Sequence, residues 1–467
     1  VGEAVNYEDF IASKLALNVP TGIANAVVES EHLFPFQRDL TQWALRRGRA
    51  ALFANMGLGK SRMALFYAKA VSEFTAKPVI ILTPLAVALQ MQSEGKRIGI
   101  AVTVVREQKD VSAGVNVCNY ERLSKLDASV FGGAVFDESS CVKGLGSKTL
   151  TQLVDAFGRT PFRLACSATP APNSFDELGQ HCELLGICSR NEMLAEHFQH
   201  DGSETSKWIL KGHARKAFWK FVASWGALVR SPEDIGHDGS AYELPPIEHI
   251  THVLDADTDV VRASGFLFAQ PASTLMERRA ARRGSMERRV SEAAELVNAD
   301  NEPWICWCDY NEESTSLTRA IRGAVEVTGS MDIDDKEEAL RRFIAGEARV
   351  LVTKPSLAGH GLNLQHCNRV VFAGISDSYE QRFQAIGRVH RFGQKRPVAV
   401  HYYLSELEMA VLENIKRKSA EADAMAIELA LETRELVRAE VTGQTRATNE
   451  YVPAVRATTP DWLRSEL

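Results

Sequence analysis

The chain has 467 residues, 45% of them hydrophobic and 24% charged, with a formal net charge of −6. This is the balance of a globular protein with room for several compact cores. No apolar run approaches the roughly 18 residues of a membrane helix, and no charged-then-apolar leader opens the chain. The negative total excludes a bulk polycation, so any nucleic-acid partner must be held by local basic surface.

Residues 1–30 are mixed in character, and YEDFIASKLAL within them reads as a short amphipathic helix. The pattern then changes. Apolar runs of strand length, AALFA (50–54), PVIILTP (78–84), VNVCNY (115–120), GAVFD (133–137) and FRLACSAT (162–169), alternate with helical stretches such as SRMALFYAKAVSEF. Such alternation predicts a parallel sheet with helices on both faces and ligand loops at the carboxyl ends of the strands. Residues 174–240 read as mostly helical, with Trp208, Trp219 and Trp225 as packing anchors, and LPP at 244–246 marks a break. A basic stretch, MERRAARRGSMERR, lies within 255–300. A second alternating block runs through WICWC (304–308), VEVTG (325–329), RVLVT (349–353), RVVFAG (369–374) and VAVHYYL (398–404). Residues 406–440 carry a long, charged amphipathic helix or helix pair, and the remaining tail reads as loosely structured.

The expected organisation is an N-terminal segment (1–30), a first α/β lobe with a helical extension (31–245), linker or brace helices (246–300), a second lobe (301–405) and a helical extension (406–467). Cys118, Cys141, Cys166, Cys182, Cys188, Cys306, Cys308 and Cys367 form no CxxC pair. They read as reduced core thiols of a cytoplasmic protein. His197, His200, His360 and His390 read as packing or loop residues, with local hydrogen bonding expected for His390 and a metal role disfavoured.

The first chemical signal is A-N-M-G-L-G-K-S (54–61), which follows a strand and opens a helix. This is a phosphate-loop pattern, with Ala54 where its first glycine usually stands. Gly57 and Gly59 permit a tight loop whose N–H groups face phosphate at a helix N-terminus, with Leu58 between them. Lys60 can reach the β and γ phosphates of ATP, and Ser61 can offer its hydroxyl to Mg²⁺. A carboxylate is then needed at a neighbouring strand end, and GAVFDES supplies Asp137 for the metal and Glu138 for the attacking water. Ser167-Ala168-Thr169 ends another strand, where its hydroxyls could link the nucleotide site to lobe movement.

The second block carries R-F-Q-A-I-G-R-V-H-R-F-G-Q (382–394), which resembles the sixth helicase motif of Swi/Snf-type superfamily-2 ATPases through Gln384, Arg388, Arg391, Gly393 and Gln394. Other segments resemble that family in the same order: LFPFQRDLTQWAL (33–45), LTPLAVALQMQSE (82–94), VCNYERL (117–123), DESSCVKGLGSKT (137–149), TPAPNSFDELGQHCELL (169–185), TGSMDIDDKEEALRRF (328–343) and SLAGHGLNLQHCNRVVF (356–372). The resemblance covers roughly residues 33–405. Three departures stand out: Ser140 replaces the usual His, the third motif reads Ser-Ala-Thr, and GISDSYEQ replaces an aromatic segment before the sixth motif.

This resemblance implies two RecA-like parallel-sheet lobes in tandem, closing on one ATP and Mg²⁺. It assigns Gln37 to the adenine edge, Gly361 and Gln384 to the nucleotide, and Arg388 and Arg391 to the γ-phosphate as charge develops. It implies a nucleic-acid partner, foremost double-stranded DNA, gripped through its backbone by Thr83, Asn119, Tyr120, Thr328 and Asn363. Asn363 could equally cap its loop. Arg278, Arg279, Arg282, Arg283, Arg288 and Arg289 could form a phosphate-binding brace or simply a solvated helix. The expectation is a monomeric duplex-DNA translocase, with no membrane partner. A strand-separating DNA or RNA helicase, and a motor subunit serving a nuclease or methyltransferase, are the alternatives.

Overall fold

The computed structural model describes residues 20–84, 87–140, 147–202, 207–254, 284–358, 362–376 and 378–442. The first apolar runs become β1 (Arg49–Ala54), β2 (Val79–Thr83), β3 (Val102–Val104), β4 (Val115–Asn119), β5 (Gly133–Asp137) and β6 (Phe162–Ser167). An antiparallel hairpin, β7 (Phe198–His200) and β8 (Trp208–Leu210), stands apart before β9 (Gly226–Val229) returns to the main sheet. That sheet has the order β3-β4-β2-β5-β6-β1-β9, and all its pairings are parallel.

Strands β2, β4, β5 and β6 are buried along their whole length, which is why they read as unbroken apolar runs rather than alternating ones. Leu40 and Trp43 of the Pro35–Arg47 helix and Met63, Leu65 and Val71 of the Lys60–Thr75 helix build the core on one face. Leu178, Phe218, Trp219 and Trp225 build it on the other.

The second sheet comprises β10 (Ile247–Leu254), β11 (Trp304–Trp307), β12 (Ala324–Val327), β13 (Val350–Thr353), β14 (Arg369–Phe372) and β15 (Val398–Ser405), ordered β10-β15-β14-β11-β13-β12 and again parallel throughout. Cys306 and Cys308 lie in one core cluster of this lobe, as their alternation suggested.

Two expected boundaries move. The described parts of the segment read as linker and brace (246–300) join the second lobe: β10 pairs with β15 over eight residues, and the Met286–Asn298 helix packs Val290, Ala293 and Val297 into the second core. The strand escaped notice because IEHITHVL alternates polar and apolar residues at a sheet edge. The stretch read as mostly helical (174–240) also holds β9, four buried residues too short for periodicity to reveal.

Arg289 corrects the phosphate-brace reading. Its guanidinium is fully buried, with Nη2 2.8 Å from Glu313 Oε1 and Nε 3.7 Å from Glu408 Oε2. It therefore ties its own helix to the Asn311–Ala320 helix that follows β11 and to the turn that follows β15, inside the lobe. Arg288 pairs with Glu292 at the surface, and Arg278, Arg279, Arg282 and Arg283 lie outside the described residues. Of the histidines, His197 is buried beside Phe218, and His200 stacks on Trp208 at 3.9 Å; His360 lies outside the described residues, as does Cys141.

The C-terminal extension is one helix, Met409–Thr442. Val411, Leu412 and Ile415 join the second lobe's core, whereas Leu429, Val437 and Val441 join cores of the first. A buried ion pair stripped of one partner typically costs about 3–5 kcal/mol. Arg289→Ala should therefore lower the denaturant midpoint of the second lobe markedly, whereas Arg288→Ala should shift stability by no more than about 0.5 kcal/mol.

Candidate nucleotide site between the lobes

The register of the first sheet assembles one half of the site. β6 lies between β1 and β5, pairing Phe53 with Ser167 and Asp137 with Cys166. The phosphate loop after Ala54, the carboxylates at 137 and 138 and the Ser-Ala-Thr turn thus emerge from three neighbouring strand ends.

The loop needs its glycines. Gly57 and Gly59 have φ of +84° and +83°. A Cβ on Gly59 would sit 2.2 Å from Gln37 Nε2, and one on Gly57 would sit 2.7 Å from the backbone nitrogen of Phe392 in the other lobe. Both the conformation and the close approach exclude larger residues. Lys60 opens the helix, its Nζ donating to the carbonyls of Ala54 (2.8 Å) and Asn55 (3.3 Å).

The second lobe supplies the other half. Arg388 Nη2 is 3.5 Å from Glu138 Oε1, and both side chains are buried. Arg388 is aimed by the helix that precedes it, Tyr379–Ile386: Nη2 donates to Gln384 Oε1 at 2.7 Å and Nε to the Gln384 carbonyl at 3.0 Å. Arg391 Nη1 donates to the Leu362 carbonyl at 3.1 Å. Lys60, Ser61, Asp137, Glu138, Arg388 and Arg391 line a single cavity.

Its electrostatics are those of a dry, crowded site. Burial, reinforced by Glu138, pushes the Asp137 carboxyl up to about 7. Burial draws Lys60 and Arg388 below their ordinary values against the pull of both carboxylates. Arg391 is pushed down to about 10, first by burial and then by Arg388. Glu138 adopts φ +50°, a left-handed conformation that costs a non-glycine residue about 1–3 kcal/mol and clusters at functional sites. The donor set beside the loop, a hydroxyl and two carboxylates, consists of hard oxygens of the kind Mg²⁺ takes. Two buried carboxylates side by side are also the situation a divalent cation relieves.

Other expected residues fall differently. Gln37 is buried at the mouth of the cavity, but its Oε1 accepts from Phe34 N at 3.0 Å and its Nε2 donates to the Leu58 carbonyl at 2.9 Å. Leu58 is a core residue. Gln384 is fully buried and orients Arg388 rather than facing the cavity. Tyr120, expected to touch nucleic acid, is buried and donates its hydroxyl to the Asp137 carbonyl at 2.9 Å. Thr83 and Asn119 are also buried, so none of these three offers a surface contact here. Thr328 is partly exposed, its hydroxyl 3.2 Å from that of Ser330. Asn363 lines the nucleotide cavity, and its N–H donates to Gln90 Oε1 across the lobes at 3.1 Å. Gly361 lies outside the described residues. His390 bonds the Pro245 carbonyl at 2.7 Å.

Some participants carry no sequence signal. Glu380 accepts from the Thr169 hydroxyl at 3.2 Å, while Gln384 Nε2 donates to that hydroxyl at 3.4 Å. This gives substance to the suspicion that the third motif links lobe movement to the site. His181 meets the Ser139 hydroxyl at 3.1 Å, directly behind Glu138. Nothing local marks either pairing, because the partners are 211, 215 and 42 residues apart.

A phosphate loop and carboxylate pair on one parallel-sheet lobe, faced by arginines from a second, define a helicase-like ATPase. The helicase conserved C-terminal domain family matches residues 289–393, which run from the Met286–Asn298 helix to the arginine turn. Putative protein p41 of Acyrthosiphon pisum secondary endosymbiont phage 1 is 23% identical over 84% of this chain and 97% of its own. The SWI/SNF-related matrix-associated actin-dependent regulator of chromatin subfamily A-like protein 1 of Bos taurus is 21% identical over 80% of this chain. Eukaryotic initiation factor 4A of Cryptosporidium parvum is 30% identical over 24% of it. The chain spans 42% of the chromatin regulator's length and 28% of the initiation factor's. The chain thus carries a helicase conserved C-terminal domain and is similar to Swi/Snf-type superfamily-2 ATPases, and its two parallel-sheet lobes are those of the RecA-like kind.

Thr169→Val removes both bonds from the third motif to the second lobe while keeping its shape. We expect a several-fold loss in kcat for ATP with KM nearly unchanged, since the hydroxyl touches closure rather than nucleotide; steady-state kinetics with nucleic acid present would check this.

Proposed function

We propose that this chain hydrolyses ATP in the cleft between its lobes and uses the cycle to move along double-stranded DNA. The observation that carries the reading is the shared cavity, to which one lobe brings Lys60, Asp137 and Glu138 and the other brings Arg388 and Arg391. Lys60 and the loop amides hold the phosphates, Glu138 orients the attacking water and accepts its proton, and the two arginines offset charge on the γ-phosphate. Ser61 and Asp137 would hold Mg²⁺, which when bound draws charge from the phosphate oxygens. Hydrolysis then requires closure, because the two arginines belong to a different lobe from the base.

Duplex DNA is favoured over RNA by the extent of the likeness. The Swi/Snf-related regulator aligns with 80% of the chain, whereas the initiation factor aligns with 24%. The latter likeness supports a second reading, strand separation on RNA, which an unwinding assay on short duplexes distinguishes from translocation. In either case the grip is on backbone, with Thr328 and Asn363 as its proposed contacts.

Lys60→Ala and Glu138→Gln should abolish turnover, and Arg388→Ala should lower kcat by about 10³-fold or more, the usual worth of such an arginine. Unchanged turnover in any of them overturns its assigned role. Turnover measured with duplex DNA, single-stranded DNA, RNA and no nucleic acid should be highest with duplex and should fall steeply between low and moderate salt. Equal stimulation by RNA and none by duplex would rule out the DNA version.

A further inference from the structure

Behind the carboxylate pair lies a buried imidazole that the proposed chemistry does not use. His181 belongs to the Leu178–Leu185 helix and is 2% exposed. Its Nε2 is 3.1 Å from the hydroxyl of Ser139, the residue after Glu138. Its ring meets Phe53 edge-on, with centroids 5.0 Å apart, and Phe53 stands one residue before the end of β1, where the phosphate loop begins. Ser139 is in turn fastened to β6. Its N–H donates to the Cys166 carbonyl at 2.8 Å, and its hydroxyl donates to the same oxygen at 3.3 Å. One side chain thus touches the end of β1 and the turn after β5, and through Ser139 it reaches β6. These are the three strand ends that carry the site.

The placement matters because Glu138 is held in a conformation that it does not favour. Its φ of +50° is one of two positive values at non-glycine residues among those described. Such a residue persists only where its surroundings over-determine it. Ser140 adds no hold, since its hydroxyl is buried without a hydrogen-bond partner. Ser139 therefore anchors the turn, and His181 is the partner that approaches it from outside the strands. The hydroxyl has one proton and can give it to only one acceptor at a time. The imidazole donates when that proton lies on the Cys166 carbonyl and accepts when it does not. Either arrangement keeps Ser139 in place.

We propose that His181 is a positioning residue for ATP hydrolysis, which acts through Ser139 to keep the Glu138 carboxylate aligned on the attacking water. This rests on the ATPase reading above and deepens it. His181 is not among the residues that line the nucleotide cavity, so its effect falls on turnover and not on nucleotide binding.

The test replaces His181 by Leu, which keeps bulk against Phe53 but cannot hydrogen-bond, and by Gln, whose amide can donate or accept near the position of Nε2. Ser139→Ala removes the same bond from the other side. ATP turnover with nucleic acid present is measured beside calorimetric affinity for ADP with Mg²⁺. His181→Leu should lower kcat by about tenfold or more, because a small misplacement of a reacting group can cost about 10²-fold. Its KM and its ADP affinity should stay within about twofold of wild type, and His181→Gln should regain kcat to within about threefold. The Ser139→Ala, His181→Leu double variant should be about as slow as the slower single one, because the two changes remove one shared bond.

An unchanged kcat in His181→Leu, or a Gln variant as slow as the Leu variant, overturns the proposal. So does a double variant that multiplies the two losses. A parallel loss of ADP affinity would make His181 a prop for the phosphate loop through Phe53, which also overturns it. If His181→Leu does not fold, Ser139→Ala reads the same bond and must show the same loss in kcat. Wild-type protein that binds ADP but hydrolyses no ATP with any nucleic acid would sink the ATPase reading, and this proposal with it.

Discussion

The structure depends on a single electrostatic constraint, that charges of both signs are buried together across a boundary between two separate sheets. Asp137 and Glu138 stand beside each other away from water, and Lys60 from their own lobe offsets only part of their repulsion. Arg388 supplies the remainder from the other lobe, yet it too pays a desolvation penalty. Neither set of charges is well served alone. A phosphate chain inserted between them changes the balance, since its negative charge favours the cations and a metal ion favours the carboxylates. Nucleotide binding would therefore act on the relation between the lobes, which is what the proposed cycle requires.

Parallel topology makes this arrangement possible. All strand ends that carry chemistry in the first sheet point the same way, and β6 seated between β1 and β5 spaces the loop from the carboxylates by two strand widths, roughly 10 Å. That gap suits a triphosphate lying between loop and metal ligands. The Ser-Ala-Thr turn on β6 occupies the middle. Its threonine reaches Glu380 and Gln384 in the second lobe, and Gln384 in turn aims Arg388. Thr169 is therefore connected to Arg388 through side chains in contact. Where this chain has Ser140 in place of a histidine, Thr169 still makes two bonds across the lobes.

Much of this was legible in the sequence, for definite physical reasons. Fully buried parallel strands announce themselves as apolar runs, so β2, β4, β5 and β6 fell within a residue or two of their expected positions. The phosphate loop and the arginine motif are local patterns in which spacing itself carries the chemistry. What remained hidden was either alternating or long-range. β10 pairs only at an edge and keeps its polar residues, so it looked like linker; Arg289 sat in a basic run whose charges invited a surface role, and only the fold reveals Glu313 and Glu408 waiting for it. Tyr120 and Gln384 lie inside recognised motifs yet turn inward, because a motif fixes where a residue is placed and not which way it faces.

The C-terminal helix shows how the two lobes can remain a single machine. At about 1.5 Å per residue, its 34 residues span roughly 50 Å, enough to leave one core and enter another. Its second-lobe end is anchored by Val411, Leu412 and Ile415, and its far end by Val437 and Val441, aided by an ion pair between Arg47 and Glu440. Glu440 is open to solvent although Arg47 is buried, and a pair screened on one side contributes little, so the apolar contacts decide the strength of each anchor. Between the anchors, Ala422, Met425 and Ala426 border the Ser-Ala-Thr turn, beside Tyr379 and Phe383 of the second lobe. The helix thus packs into the cores of both lobes and, between those anchors, lines a cavity shared with the turn and with the Tyr379–Ile386 helix.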